Sequence, residues 1–163
     1  MSTNPHIRSS ATAGRMAMAR RSTMALVARY LGALGVLATG VIHIQQFYGQ
    51  DYSTVPTIGT LFFLNFVSGV VIAAGLVAPL GRVAGRHADL VRAGFAVAGI
   101  GLAVLSLVAL FISESSSLFN FTENGYRTAI VLAIIAEAAA TVFLVSFLAL
   151  SGLPAWRGRS LRQ

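Results

Sequence analysis

An all-α, integral membrane four-helix bundle is the fold class this sequence predicts, and three observations predict it. Hydrophobic residues fill 56% of the 163 positions and 16 more are glycine, while charged residues make up only 10%. A soluble domain carries about 25% charge, and one this small leaves too much chain exposed to hide so much apolar surface. Four segments reach the ~20 mostly apolar residues that a membrane helix needs. All twelve basic residues are arginine, and they flank those segments almost entirely at one end.

The chain divides into a basic arm (1–25), a bundle (26–152) and a basic tail (153–163). In the arm, Ser, Thr, Asn, Ala and Arg dominate without a single acid, a composition expected to stay disordered up to about Arg20. Arg20-Arg21 has the look of a twin-arginine signal, but the residues that follow fit poorly. Cleavage as a signal peptide is disfavoured because no small-residue site follows the apolar run from Leu31 to Val41.

The first span covers 30–48 and the second 57–80, with Pro56 suited to a first turn where its missing N–H costs nothing. The third covers 93–113. Asn124 and Gly125 would turn the chain into the fourth, 128–150. Phe47, Tyr48, Tyr52, Phe119, Phe121 and Tyr126 sit where a membrane interface favours aromatic rings, as do Tyr30 and Trp156 on the other side. Eleven arginines lie in the arm, the 2–3 connection and the tail. Only Arg127 lies on the other side, with Asp51, Glu114 and Glu123. The positive-inside rule then places both termini in the cytoplasm.

Lipid gives helices little reason to associate through apolar burial, so small and polar residues must hold them together. Each span carries such a stripe at helical spacing: Gly32, Gly35, Thr39 and His43; Asn65, Ser68, Gly69 and Ala73; Gly99, Ala103 and Ser106; Ala133, Glu137, Ala140 and Thr141. These stripes should face the bundle interior. Leu76, off the stripe, is expected to tolerate substitution. At ~1.5 Å per residue, His43 lies about 7 Å from the outer end of its helix, Ser106 about 10 Å, Asn65 about 12 Å and Glu137 about 15 Å. The polar side chains thus gather in the outer half, as a pocket open to the outside would require.

Glu137 is the first candidate, because a carboxylate at the bilayer centre costs several kcal/mol unless paired or used. Two readings stand. It exchanges a proton or holds a cation, or it is a neutral acid bonded to Asn65, Ser106 or His43 that glues the bundle. His43 could shuttle protons, ligate a metal or pair with Glu137, or simply bond water or a backbone carbonyl. A rim of outer-loop residues, Gln46, Asp51, Tyr52, Glu123 and Arg127, flanks this cluster, although loop polarity is ordinarily just surface.

Several classes are excluded. Without cysteine there are no disulfides, thiolate nucleophiles or cysteine-bound clusters. Bis-histidine haem needs two buried histidines, and His6 and His87 lie at the arginine end. Nucleic acid is not an expected partner, because the arginines flank spans rather than forming a recognised binding motif. No nucleophile elbow, zincin, P-loop or dinucleotide motif occurs, so no catalytic residue, cofactor or metal is expected. Asn120-Phe121-Thr122 matches a glycosylation acceptor, a pattern short enough to arise by chance.

Val41-Ile-His43-Ile-Gln-Gln-Phe-Tyr48, the run from Val55-Pro56-Thr57-Ile-Gly59 through Leu61 and Asn65 to Gly69, and the stretch from Phe119 through Glu123, Gly125 and Arg127 to Glu137 are similar to those of a group of small four-span membrane proteins of actinobacteria. The resemblance covers about residues 26–150. It implies a bacterial plasma membrane and assigns no activity. Three functions remain open: a non-enzymatic accessory or binding subunit, with the bilayer and another membrane protein or a second copy as partners; a small proton-coupled transporter using Glu137; and a redox subunit binding quinone near His43.

Overall fold

The computed structural model describes residues 5–49, 52–115 and 128–151, and among these the chain is helical with short connecting turns. Helix α1 runs Pro5–Gly49, α2 Pro56–Val77, α3 Ala88–Ser115 and α4 Thr128–Ser151. All four are long and apolar enough to cross a membrane. Each helix packs on its neighbours in chain order, and α4 closes the ring against α1. The arginines of α1 and of the α2–α3 connection share one end of the bundle with the end of α4, called here the arginine end. The opposite end is the far end.

Three boundaries differ most from the sequence reading; one is the start of α3, which begins at Ala88 rather than 93. α1 does not wait for residue 30 but is helical from Pro5, through the arm expected to be disordered. Ala, Met and Arg are strong helix formers, and the last turns of the stretch dock. Ala25 and Ala28 are buried, and Arg21 donates from Nε to the Leu150 carbonyl (3.0 Å) and from a terminal nitrogen to that of Ala149 (3.1 Å). A cation there meets the carbonyls that every helix C-terminus leaves without intrahelical partners. α2 stops at Val77 rather than 80. Pro79 disfavours helical geometry at the residue before it, and Ala78 turns out to ψ 147°. The chain then crosses to α3 through two 3₁₀ turns, Leu80–Arg82 and Gly85–His87. Gly85 takes a φ of 49°, a left-handed conformation that favours glycine.

Small residues set the helix spacing. A Cβ on Gly35 would lie 3.0 Å from the Ala140 Cα, and one on Gly69 would lie 3.0 Å from the Val36 carbonyl oxygen and 3.4 Å from the Gly40 Cα. α1 therefore touches α4 and α2 almost backbone to backbone, as helices do when close packing holds them. Towards the arginine end the interior is closed by Val36, Leu76, Ala96, Ala140 and Leu144, all at most 1% exposed. Leu76, expected to be tolerant, is wholly enclosed because the core widens beyond the small-residue stripe. The outward faces carry Leu64, Leu105, Ile135 and Val142, each at least half exposed. Apolar surface on that scale is unusual in water and ordinary against lipid.

Candidate functional site

The far half of the bundle holds a cavity of about 140 Å³ that α1, α2, α3 and α4 all line. Most of its wall is apolar: Ile42, Ile58, Leu61, Phe62, Leu110, Ile130 and Ala133. Its polar side chains come from different helices and converge because each lies on the interior stripe of its own helix. His43, Asn65, Ser106 and Glu137 all line it, as do Gln46, Tyr52 and Ser113.

Three of these side chains form a hydrogen-bonded chain. Asn65, 7% exposed, donates from Nδ2 to the Ser106 Oγ at 2.6 Å. The Ser106 hydroxyl in turn bonds to the carboxyl of Glu137, whose side chain is enclosed with only 1% exposure. A turn further along α4, the Thr141 hydroxyl donates to the Glu137 backbone carbonyl (2.8 Å). The chain ends in an unused acceptor. Asn65 Oδ1 is buried and has no partner among the described residues, and neither has the Thr39 hydroxyl, itself 1% exposed.

His43 is anchored separately. Its Nδ1 lies 2.9 Å from the Thr39 carbonyl. A carbonyl only accepts, so Nδ1 carries the hydrogen and Nε2 is left as an acceptor. The imidazole stands edge-on to Phe62, centroids 4.9 Å apart, and Phe62 meets Tyr52 the same way at 4.9 Å. A row of three rings thus forms one wall. The pairing of His43 with Glu137 that the sequence left open is replaced by these two anchors, Thr39 for the histidine and Ser106 for the acid.

Tyr52 enters the wall through a local device. The 3₁₀ turn Tyr52–Thr54 folds back so that its backbone lies against Gly59. Any side chain at 59 would collide with the Tyr52 carbonyl oxygen. The same carbonyl accepts from the Val55 amide at 3.0 Å, and Gly59 N–H bonds to the Val55 carbonyl at 2.7 Å to start α2. A buried Tyr52, 7% exposed, is the outcome. Sequence reasoning placed Tyr52 on a loop rim and overlooked Gly59, although a glycine one turn into a helix that Pro56 opens was a signal for close backbone approach.

Of the expected rim, Gln46 and Tyr52 line the cavity, whereas Asp51, Glu123 and Arg127 lie outside the described residues. The sequence reading gave no role to Phe62, which joins two rings, and placed Thr39 on the interior stripe without foreseeing its buried, unpartnered hydroxyl. What the arrangement can do chemically is narrow: it offers acceptors, Asn65 Oδ1 and His43 Nε2, and a carboxyl within an apolar, ring-sized chamber. The chain matches no protein-family model, no curated protein and no solved structure, so its function is argued from this chemistry.

Proposed function

We propose that this chain is a plasma-membrane protein, both termini cytoplasmic, acting as a non-enzymatic binding or accessory subunit whose far-end cavity takes a small, mostly apolar molecule bearing a hydroxyl or amino group. The observation that carries the proposal is the buried Asn65 Oδ1, without a partner among the described residues, on a side chain that lines a chamber four helices build. Leaving a buried acceptor unmade costs about 1–3 kcal/mol, and a hydrogen-bond donor on the ligand removes that cost. An apolar cavity of about 150 Å³ in another protein accepts benzene, so a chamber of about 140 Å³ suits a single ring. The positive-inside rule, applied to the arginine end, gives the cavity an external aspect.

The quinone reading has one observation in its favour. A hydroquinone head is a ring with two hydroxyl donors, and so belongs to the ligand class the cavity selects. Proton-coupled carriage through Glu137 draws less support. It needs a path onward from the cavity, and Val36, Leu76, Ala96, Ala140 and Leu144 fill that path.

The test compares phenol with toluene, the same ring without a donor. Thermal unfolding of the purified protein is followed with each. A ligand at ~100-fold its dissociation constant stabilises by about 2.7 kcal/mol. Phenol raises the midpoint more than toluene in the wild type, and Asn65→Leu abolishes the difference. Equal stabilisation by the two rings would contradict the proposal.

A further inference from the structure

A second concavity lies at the arginine end, about 460 Å³, between α1, the start of α3 and the end of α4. Three arginines line it: Arg21, Arg29 and Arg92. Arg21 is spent on capping α4 through the Ala149 and Leu150 carbonyls. That leaves Arg29, whose guanidinium carbon stands 4.8 Å from the centre of the Tyr30 ring, and Arg92. The Nε of each is buried and has no partner among the described residues. Burying a guanidinium donor unpaired is costly, and two, one from α1 and one from α3, on residues that line one groove point to a shared acceptor. A guanidinium fork matches phosphate oxygens in geometry and charge.

We infer that this groove binds the phosphate of an anionic phospholipid. Depth supports a lipid source. Arg29 lies about 30 Å along α1 from Gly49 at 1.5 Å per residue, which is the thickness of the hydrocarbon core, so both arginines stand where headgroups are. The walls agree, since Leu26, Phe147 and Leu148 line the same groove and suit the glycerol and upper acyl chain, which a free phosphate ion lacks. One acid competes. The Asp89 Oδ1 lies 3.0 Å from a terminal nitrogen of Arg92, but the aspartate side chain is 90% exposed and that of Arg92 only 15%. An exposed carboxylate of this kind holds its partner weakly and yields it to a phosphate, whose confinement to the interface lowers the entropic cost of capture.

The full chain is reconstituted in nanodiscs of phosphatidylcholine with a minor fraction of phosphatidylglycerol, and the lipid retained on the released protein is identified by native mass spectrometry. Wild type retains phosphatidylglycerol selectively. The double variant Arg29→Gln/Arg92→Gln loses at least about tenfold of that retention, since two charge-assisted contacts go. Arg82→Gln/Arg86→Gln, the same charge removed from exposed positions of the α2–α3 connection, retains it. Equal loss in both double variants means diffuse attraction to the bilayer and overturns the inference. Retention of neither lipid by wild type overturns it as well. Inorganic phosphate added to phosphatidylcholine nanodiscs is the other arm: if it raises the unfolding midpoint as much as phosphatidylglycerol does, the site takes a free anion and the lipid assignment fails. Asp89→Asn keeps the inference testable should the arginine variants not fold. Removal of the competing acceptor increases retention, and unchanged retention contradicts the groove.

Discussion

At the scale of single residues, Glu137 carries the sharpest consequence. Its carboxyl completes the chain through Ser106 to Asn65, so its replacements separate packing from titration. Glu137→Gln keeps a polar group of the same length for Ser106, and thermal stability should change by less than about 1 kcal/mol, the size of one ordinary hydrogen bond. Glu137→Leu strands the Ser106 hydroxyl and should cost about 1–3 kcal/mol. If the acid also works by exchanging a proton, ligand binding depends on pH in the wild type and the dependence disappears in Glu137→Gln. Equal stability of the Gln and Leu variants would show that the hydrogen-bonded chain contributes nothing. His43, Asn65, Ser106 and Glu137 could be picked out in the sequence because each is polar within an apolar span and sits on a stripe of small residues. Which of them would bond to which could not, since that depends on rotation and depth of four separate helices to within an ångström or two. The idle acceptor of Asn65 and the Thr39–His43 anchor are products of that registry, invisible to spacing along any one helix.

At the scale of helices, the bundle depends on close crossings. Gly69 faces backbone atoms of α1, the Val36 carbonyl oxygen at 3.0 Å and the Gly40 Cα at 3.4 Å, and neither can swing away as a side chain could. Gly69→Leu should therefore push α2 from α1 and lower stability by about 1–3 kcal/mol, the usual penalty of overpacking. Val70, one position on and 39% exposed, faces outward, and Val70→Leu should stay within about 0.5 kcal/mol. Thermal unfolding in one detergent measures both, and a similar midpoint for the two variants would mean that the α1–α2 crossing does not rely on glycine. Helix existence was plain from the apolar runs, and boundaries were not. The second span was read three residues too long because Leu80 is apolar, whereas Pro79 decides the end of α2. α1 was read short because arginines and polar residues mask a helix whose extra turns dock on α4 through Ala25, Ala28 and Arg21, a tertiary contact that local composition does not announce.

At the scale of the whole molecule, polarity is arranged lengthwise. The far half holds a ring-sized chamber with idle acceptors, a middle layer of enclosed Val, Leu and Ala seals it, and the arginine end presents a basic groove. The count of helices follows from composition and periodicity, whereas the sealing layer does not, since Leu76 at its centre lies off the small-residue stripe. The two concavities do not, since a cavity is what side chains of four helices fail to fill. Both functional readings rest on one claim, that the chain crosses the bilayer with the arginine end in the cytoplasm. The sequence holds no cysteine, so single cysteines can be introduced without background. Ser53 is exposed in the turn before α2 at the far end, and Ala84 lies between the two 3₁₀ turns at the arginine end. In intact cells treated with a membrane-impermeant maleimide, Ser53→Cys should label at once and Ala84→Cys only after the membrane is permeabilised. Labelling of Ala84→Cys but not Ser53→Cys in intact cells, or of both together, would contradict the account.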